Sequence, residues 1–517
     1  FQAQSSDDRR MNKRILRNAI FLYGRQVILV GLNLYALRLL LVALGLDDYG
    51  LFVAVSGVVS LGTFIPGAVT NVAQRYLSIA IGKEDTESAK SAVSSILITC
   101  LFIASLAVAV FETAGLWFVL SALKIAPDRF AAAQTIYQLS IGTFLLGLIA
   151  SPFIALMISY EEMHLFAFVS IVESVLKLLA VLYLGQATPD NLVEYGYLLL
   201  IVSVASTFLY TSICLLRYPV CRLTRLHWDG GLVAHITGFS SWTLFGFMTS
   251  TLRSQAVTLL LNQNSNPVTV ASRALALTIA NQTLAFSANF NTSLYPSIIK
   301  SYATEDQGRL RSLVYDGSRL CFYISWIVAL PLLIEMDALL GIWLVEVPQH
   351  AALFSRLAIL ETLILTISLP MATVARAPGD VRRYELVLGS MQFALFLASW
   401  GLLARGYAPY SVFVAAILIN IVMCYARLAM IETLVGLRIT DFLVRTLIPI
   451  LRVVAATATL SLLGKTLLGG GLVNSLMSMA FSLVTSLAFV YAFDVKAIWK
   501  EQANQALRPG TQMRHHE

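Results

Sequence analysis

The 517-residue chain is 58% hydrophobic and only 13% charged, with a formal net charge of +7 and a mean hydropathy of +0.76. Soluble globular proteins carry about 25% charged residues, so this composition excludes a water-soluble fold. It predicts an all-α polytopic membrane protein, because apolar runs of about twenty residues cross a bilayer as helices, whereas barrel strands show only about ten residues of alternating pattern.

The first residues, FQAQSSDDRRMNKR, are polar and show no cleavable signal pattern, and Met11 is a candidate native start. Apolar windows then predict fourteen spans, at 15–44, 49–78, 91–121, 132–160, 164–186, 194–216, 235–261, 267–299, 312–335, 350–375, 384–404, 409–434, 445–466 and 472–493. Only Glu161, Glu162 and His164 separate the fourth from the fifth. With the N-terminus cytoplasmic, 24 of the 36 Lys and Arg residues fall in inward segments, and only Lys124, Arg129, Arg405 and Lys465 in outward ones. That bias predicts a multi-pass membrane protein with both termini cytoplasmic. Inner loops facing anionic lipid account for the positive charge without a nucleic-acid partner. The five cysteines (Cys100, Cys214, Cys221, Cys321 and Cys424) avoid outward loops, and free buried thiols are expected.

A faint repeat is visible. Glu84-Asp85, Ser91 and Val93 recur 221 residues later as Glu305-Asp306, Ser312 and Val314. This divides the chain into an N-terminal lobe of six spans (1–216), a second lobe of six (217–440), and a third part, 441–517, holding two more spans and a tail. Two such halves are a transporter plan.

In the second span Ser56, Ser60, Thr63, Gly67, Thr70, Gln74 and Ser78 recur three or four residues apart and share one helical face. Such a face is either the wall of a hydrated cavity or a small-residue packing seam. Pro66 beside Gly67 marks a hinge. Arg25, Arg38, Arg75, Arg253 and Arg273 fall in spans 1, 2, 7 and 8, where each charge costs about 2.5 kcal/mol or more at mid-helix. A guanidinium fork suits phosphate oxygens, so converging arginines would suit a diphosphate. Arg38, Arg75 and Arg273 lie near span ends, where snorkelling to the headgroups is the alternative. On an ideal helix Arg38 turns away from Arg25, so either the helix bends near Gly31 or the two serve different surroundings.

The intramembrane acids are Glu112, Glu173, Glu361 and Glu432. Glu173 and Lys177, four apart, read as a neutralising pair. Glu361 near Arg356 reads as either an ion pair or a coupling site. There is no GxxxxGK[ST] loop, no His/Cys metal spacing and no GxSxG elbow, so no cofactor, metal site or enzymatic chemistry is expected. Asp47-Asp48 recurs in membrane glycosyltransferases only within a larger outer loop than this one.

The string LVALGLDDYGLFVAVSGVVSLGTFIPGAVTNVAQRYLSIAIGKED resembles the N-terminal signature of bacterial polysaccharide flippases of the multidrug/oligosaccharidyl-lipid/polysaccharide exporter superfamily. The stretch STLRSQAVTLLLNQ, continuing to SLYPSIIKSYATEDQGRLRSLVYDGSRLCFYISWIVALPLLIEMDALLGIWL, resembles their central part, often labelled lipopolysaccharide biosynthesis proteins. The resemblance implies two six-helix lobes that alternate access. It implies translocation of undecaprenyl-diphosphate-linked oligosaccharide, such as an O-antigen unit; Na⁺, H⁺ and the membrane potential are the alternatives for its coupling. By analogy with lipid II flippases, Arg25, Arg75, Arg253 and Arg273, with Arg38, would line the diphosphate site. Glu361 and Glu173 are the coupling candidates, and Pro66, Pro152, Pro296, Pro331 and Pro370 the bend points. The rival reading is a cation-coupled drug or metabolite antiporter of the same superfamily.

The two readings part on mutation. In a transport assay on proteoliposomes, a flippase loses activity with Arg25→Ala or Arg253→Ala and tolerates Glu112→Gln and Glu173→Gln, and an antiporter shows the reverse.

Overall fold

The computed structural model describes residues 2–82, 85–160, 162–185, 190–221, 230–378, 382–469 and 471–495. Hydrocarbon offers no hydrogen-bond partner to a backbone amide, so an apolar chain in lipid closes its bonds within each segment as helix. The described residues are helices joined by short turns, the fold class expected. Ten helices are long and apolar enough to cross a membrane, or eleven with one bent pair, by length and composition among the described residues.

The helices follow the predicted spans: α1 (residues 2–44), α2 (residues 46–60, resuming as Phe64–Gly82), α3 (Thr86–Ala122), α4 (Phe130–Ser159), α5 (Met163–Tyr183), α6 (Asn191–Arg217), α7 (Gly230–Asn264) and α8 (Pro267–Ala303). They continue with α9 (Gln307–Trp343), α10 (Ala351–Ile367, then Leu369–Arg376 at 42°), α11 (Arg382–Ala404), α12 (Ser411–Val435), α13 (Ile439–Leu468) and α14 (Leu472–Phe493).

The breaks have local causes. Between α1 and α2 the expected outward loop shrinks to a corner at Gly45, whose φ of 74° favours glycine. No non-helical residue interrupts α1 at Gly31, so Arg38 stays turned away from Arg25 around the helix. α2 breaks at Leu61–Thr63, just before Pro66. α3 contains a π turn, Phe111–Gly115, and the Tyr137 hydroxyl of α4 donates to the Phe111 carbonyl at 2.6 Å. The bend in α10 falls at Ser368, followed by Pro370. Pro152 and Pro331 lie inside α4 and α9.

The sequence repeat has a local counterpart. Asp85 accepts from the Ser88 amide at 3.0 Å and caps α3, and Asp306 accepts from the Arg309 amide at 3.0 Å and caps α9. Each also donates its own amide five residues back, Asp85 to Ala80 at 3.1 Å and Asp306 to Ser301 at 3.0 Å. Such bonds end one helix while the carboxylate starts the next. Glu84 lies outside the described residues.

By Cα proximity the chain divides into two compact units. The first comprises Phe1–Leu275, Leu344–Ala351 and Val381–Ala416, and the second comprises Ala276–Trp343, Ala352–Asp380 and Ile417–Glu517. In the first, a core including Leu77, Leu148, Leu156 and Met157 seats α4 against α2, α3 and α6. At the α1–α2 corner a Cβ on Gly50 would run into the Pro267 carbonyl, which begins α8. In the second, buried Ser287 of α8 joins Ser325 of α9 at 2.7 Å, and the Trp326 indole donates to Thr457 of α13 at 3.0 Å. All five cysteines are free.

Gly50→Ala is expected to destabilise the protein by about 1–3 kcal/mol through overpacking, read as a lower midpoint in thermal size-exclusion. Gly67→Ala, with open space around the glycine, leaves the midpoint within error.

Candidate functional site

Arg25 projects from α1 toward α5 and α6. Its guanidinium lies 4.9 Å from the centre of the Phe166 ring, its Nη1 reaches the Ser170 hydroxyl only at 3.5 Å, and its buried Nε has no hydrogen-bond partner. The Ser170 hydroxyl itself donates to the Phe166 carbonyl at 2.7 Å. Glu173 is engaged by Lys177 at 2.7 Å, the neutralising pair expected from their spacing. Arg25 therefore has no carboxylate of its own among the described residues. The Phe166 ring offsets part of its desolvation, by about 0.5–2 kcal/mol.

The other predicted arginines take different surroundings. Arg273, only 5% exposed, donates to the Thr258 hydroxyl and so ties α8 to α7. Arg253 lies on α7 seven residues beyond Gly246, which is pressed against the Glu385 carboxylate of α11. Seven residues is two turns, so Arg253 lies on the same side of α7 as Gly246. Arg38 is half-buried. The Arg75 side chain lies outside the described residues.

The polar face of α2 divides at the Leu61–Thr63 break. Ser56 bonds back to the Phe52 carbonyl at 2.6 Å, and the exposed Thr63 to that of Ser60 at 2.7 Å. Beyond the break Thr70 donates to Pro66 at 2.9 Å and to Ser151 of α4 at 3.5 Å, while Ser159 of α4 donates to the Gln74 carbonyl at 3.2 Å. These are contacts of a small-residue seam. A cavity of about 430 Å³ opens between α2, α3 and α7, walled by residues such as Val58, Ile65, Ile103, Val110, Phe118 and Leu259. Its hydrocarbon lining does not suit a charged headgroup.

Among the acids, buried Glu361 of α10 accepts from the Asn420 amide of α12 at 3.0 Å. Arg356 pairs with Asp337, at 2.6 Å, and donates to the Leu333 carbonyl, at 3.0 Å. Glu112 accepts from Gln138 at 3.1 Å.

Two polar clusters escaped the reading by motif. At one end of the first unit Arg129 bridges Asp48, beside the α1–α2 corner, and Asp190, which caps α6. At the other end Glu162, before α5, accepts from Arg217 at 2.7 Å and from the Tyr218 hydroxyl, and Tyr160 stacks on Tyr218 with ring centres 4.4 Å apart. The hydrogen bonds from Arg217, then from Tyr218, hold the Glu162 carboxyl below the usual carboxylate range. The partners lie 55 and 56 residues away, beyond any local signal. Charged residues at helix ends were the only hint.

No protein-family model matches the chain, and no curated protein matches it significantly. Solved structures do. Lipid II flippase MurJ in an inward closed conformation aligns with a TM-score of 0.68 over 93% of this chain and 100% of its own, at 11% identity. An outward-facing multidrug resistance MATE family transporter of the MOP superfamily aligns at 0.64 over 82% and 96%, at 12% identity. A MOP superfamily transporter from Pyrococcus furiosus, described as having a binding pocket of reverse polarity, aligns at 0.62 over 82% and 96%, at 13% identity. The chain therefore has the fold of these multi-pass membrane transporters.

Because the Glu162 carboxyl is depressed in the folded protein, its stabilisation is present above the unfolded carboxylate pKa and is lost as pH falls through the folded one. Protection of the amides around Tyr218–Cys221 against hydrogen exchange, relative to their intrinsic rates, is expected to be high at neutral pH and to fall below about pH 4. Glu162→Gln lowers that protection already at pH 7.

Proposed function

We propose that this chain is a flippase. It carries an undecaprenyl-diphosphate-linked oligosaccharide, an O-antigen or other surface-polysaccharide repeat unit, across the bacterial cytoplasmic membrane by alternating access, with both termini cytoplasmic. A sugar headgroup cannot cross hydrocarbon unaided, while a polyprenyl tail stays in lipid, so the carrier must supply a polar path and an anchor for the diphosphate. The observation that carries the reading is Arg25. It is a permanently charged fork in a membrane helix, steadied by Phe166 and a long contact to Ser170, with no carboxylate partner among the described residues. Such a cation is poised for an anionic ligand.

Around it we assign supporting roles. Arg38, Arg75 and Arg253 extend the cationic path. Arg273, held by Thr258, keeps α7 and α8 in register behind it. Ser56, Ser60, Thr63, Thr70 and Gln74 give α2 a surface of small and polar groups along which it can shift. Glu361, buried beside Asn420, is the coupling candidate for Na⁺ or H⁺. That same buried Glu361 favours the second reading, a cation-coupled drug or metabolite antiporter, whose substrate would need no arginine.

Binding of undecaprenyl-diphosphate oligosaccharide to purified protein, compared with undecaprenyl phosphate, separates the two. Arg25→Ala is expected to weaken diphosphate binding more than about tenfold, roughly 1.4 kcal/mol. Arg25→Lys, which keeps the charge and loses the fork, recovers part of it. Equal affinity for both lipids, or a folded Arg25→Ala that binds normally, overturns the flippase assignment.

A further inference from the structure

Within the second unit, α9 departs from helical geometry at Glu335 (φ −108°, ψ 26°), four residues after Pro331. Two carbonyls at this bend take side-chain donors from neighbouring helices. Arg356 of α10 donates to Leu333 at 3.0 Å, and the Lys465 ammonium of α13 donates to Ile334 at 2.8 Å. Arg356 also pairs with Asp337 at 2.6 Å, so that acid has its own counterion. Glu335 is different. It is 3% exposed, its Oε2 lies 3.4 Å from Lys465, and its buried Oε1 has no hydrogen-bond partner.

A buried carboxylate normally fills its acceptor sites with donors or a cation. Here a carboxylate and a peptide carbonyl, both hard oxygen ligands, converge on one ammonium that does not satisfy the carboxylate. We infer that Glu335 and the Ile334 carbonyl form a monovalent-cation site whose resident cation is the chain's own Lys465. The ammonium sits between an anionic and a neutral oxygen, as a bound Na⁺ or K⁺ would. The four charges at the bend, Glu335 and Asp337 against Arg356 and Lys465, cancel, so removing Lys465 leaves one buried negative charge and an open position beside it. The Lys465 side chain is 42% exposed, so the position can be reached by ions from water. A tethered cation makes the bend in α9 independent of ambient ions, and this holds whatever substrate the protein carries.

The test is thermal unfolding of the purified full chain in NaCl, KCl and choline chloride at equal ionic strength. For wild type the midpoint is expected to be the same in all three salts. For Lys465→Ala it rises in NaCl or KCl, saturably and by at least about 3 °C over choline. Adding Glu335→Gln abolishes the rise. Lys465→Gln, which keeps a donor for the Ile334 carbonyl and loses the charge, is expected to respond in the same direction as Lys465→Ala. A lysine variant that folds only in Na⁺ or K⁺ also supports the site. Lysine variants that are folded and indifferent to the cation, or unfolded in every salt, overturn it. So does a wild type that responds as strongly as Lys465→Ala, or a double variant that still responds.

Discussion

A charge or an open backbone group inside hydrocarbon has no water to turn to, and every polar feature of this molecule answers that constraint. Most answers are short-range. Glu173 meets Lys177 one turn away, Arg319 meets Asp316 at 2.6 Å, and hydroxyls such as Ser56, Thr99 and Ser170 bond back to their own helix. Others reach across helices, as Arg273 does to Thr258 and Asn420 to Glu361. Against that background an incompletely answered group carries information. Arg25, with its partnerless Nε, and Glu335, with its partnerless Oε1, are two such groups on spanning helices. One is a cation and the other an anion, each with a polar atom that the surrounding helices leave unmatched.

The same constraint explains how helices bend here. A kink frees carbonyls, and freed carbonyls in lipid need donors. The π turn of α3 hands its Phe111 carbonyl to Tyr137, and Gly115 leaves room for that phenol because a Cβ would strike it. The bend of α9 hands its carbonyls to Arg356 and Lys465. Proline marks some of these places, but the donor that makes the bend tolerable comes from a distant helix. Bends held by side chains from distant helices are points where a packing change would register.

The comparison with solved transporters adds the fold and stops there. At 11% identity to a lipid II flippase and 12% to a multidrug transporter, the shared plan does not choose a substrate. Substrate is a matter of the side chains on the plan.

The sequence by itself determined the helices, because hydrocarbon length and backbone self-satisfaction act on about twenty consecutive residues at a time. The predicted spans and the observed helices agree to within a few residues for most of the chain, and the weak break at Glu161–His164 separates α4 from α5 as expected. It also determined the Glu173–Lys177 pair and the two aspartate elbows, which depend on neighbours three to five positions away. Only the tertiary structure decided the surroundings of the arginines, the corner at Gly45, and the pairing of Arg356 with Asp337. Arg25 and Ser170 stand 145 residues apart, and Lys465 and Ile334 stand 131 apart. A helical wheel shows which way a side chain faces, but what it faces depends on how distant helices pack, and no local pattern encodes that.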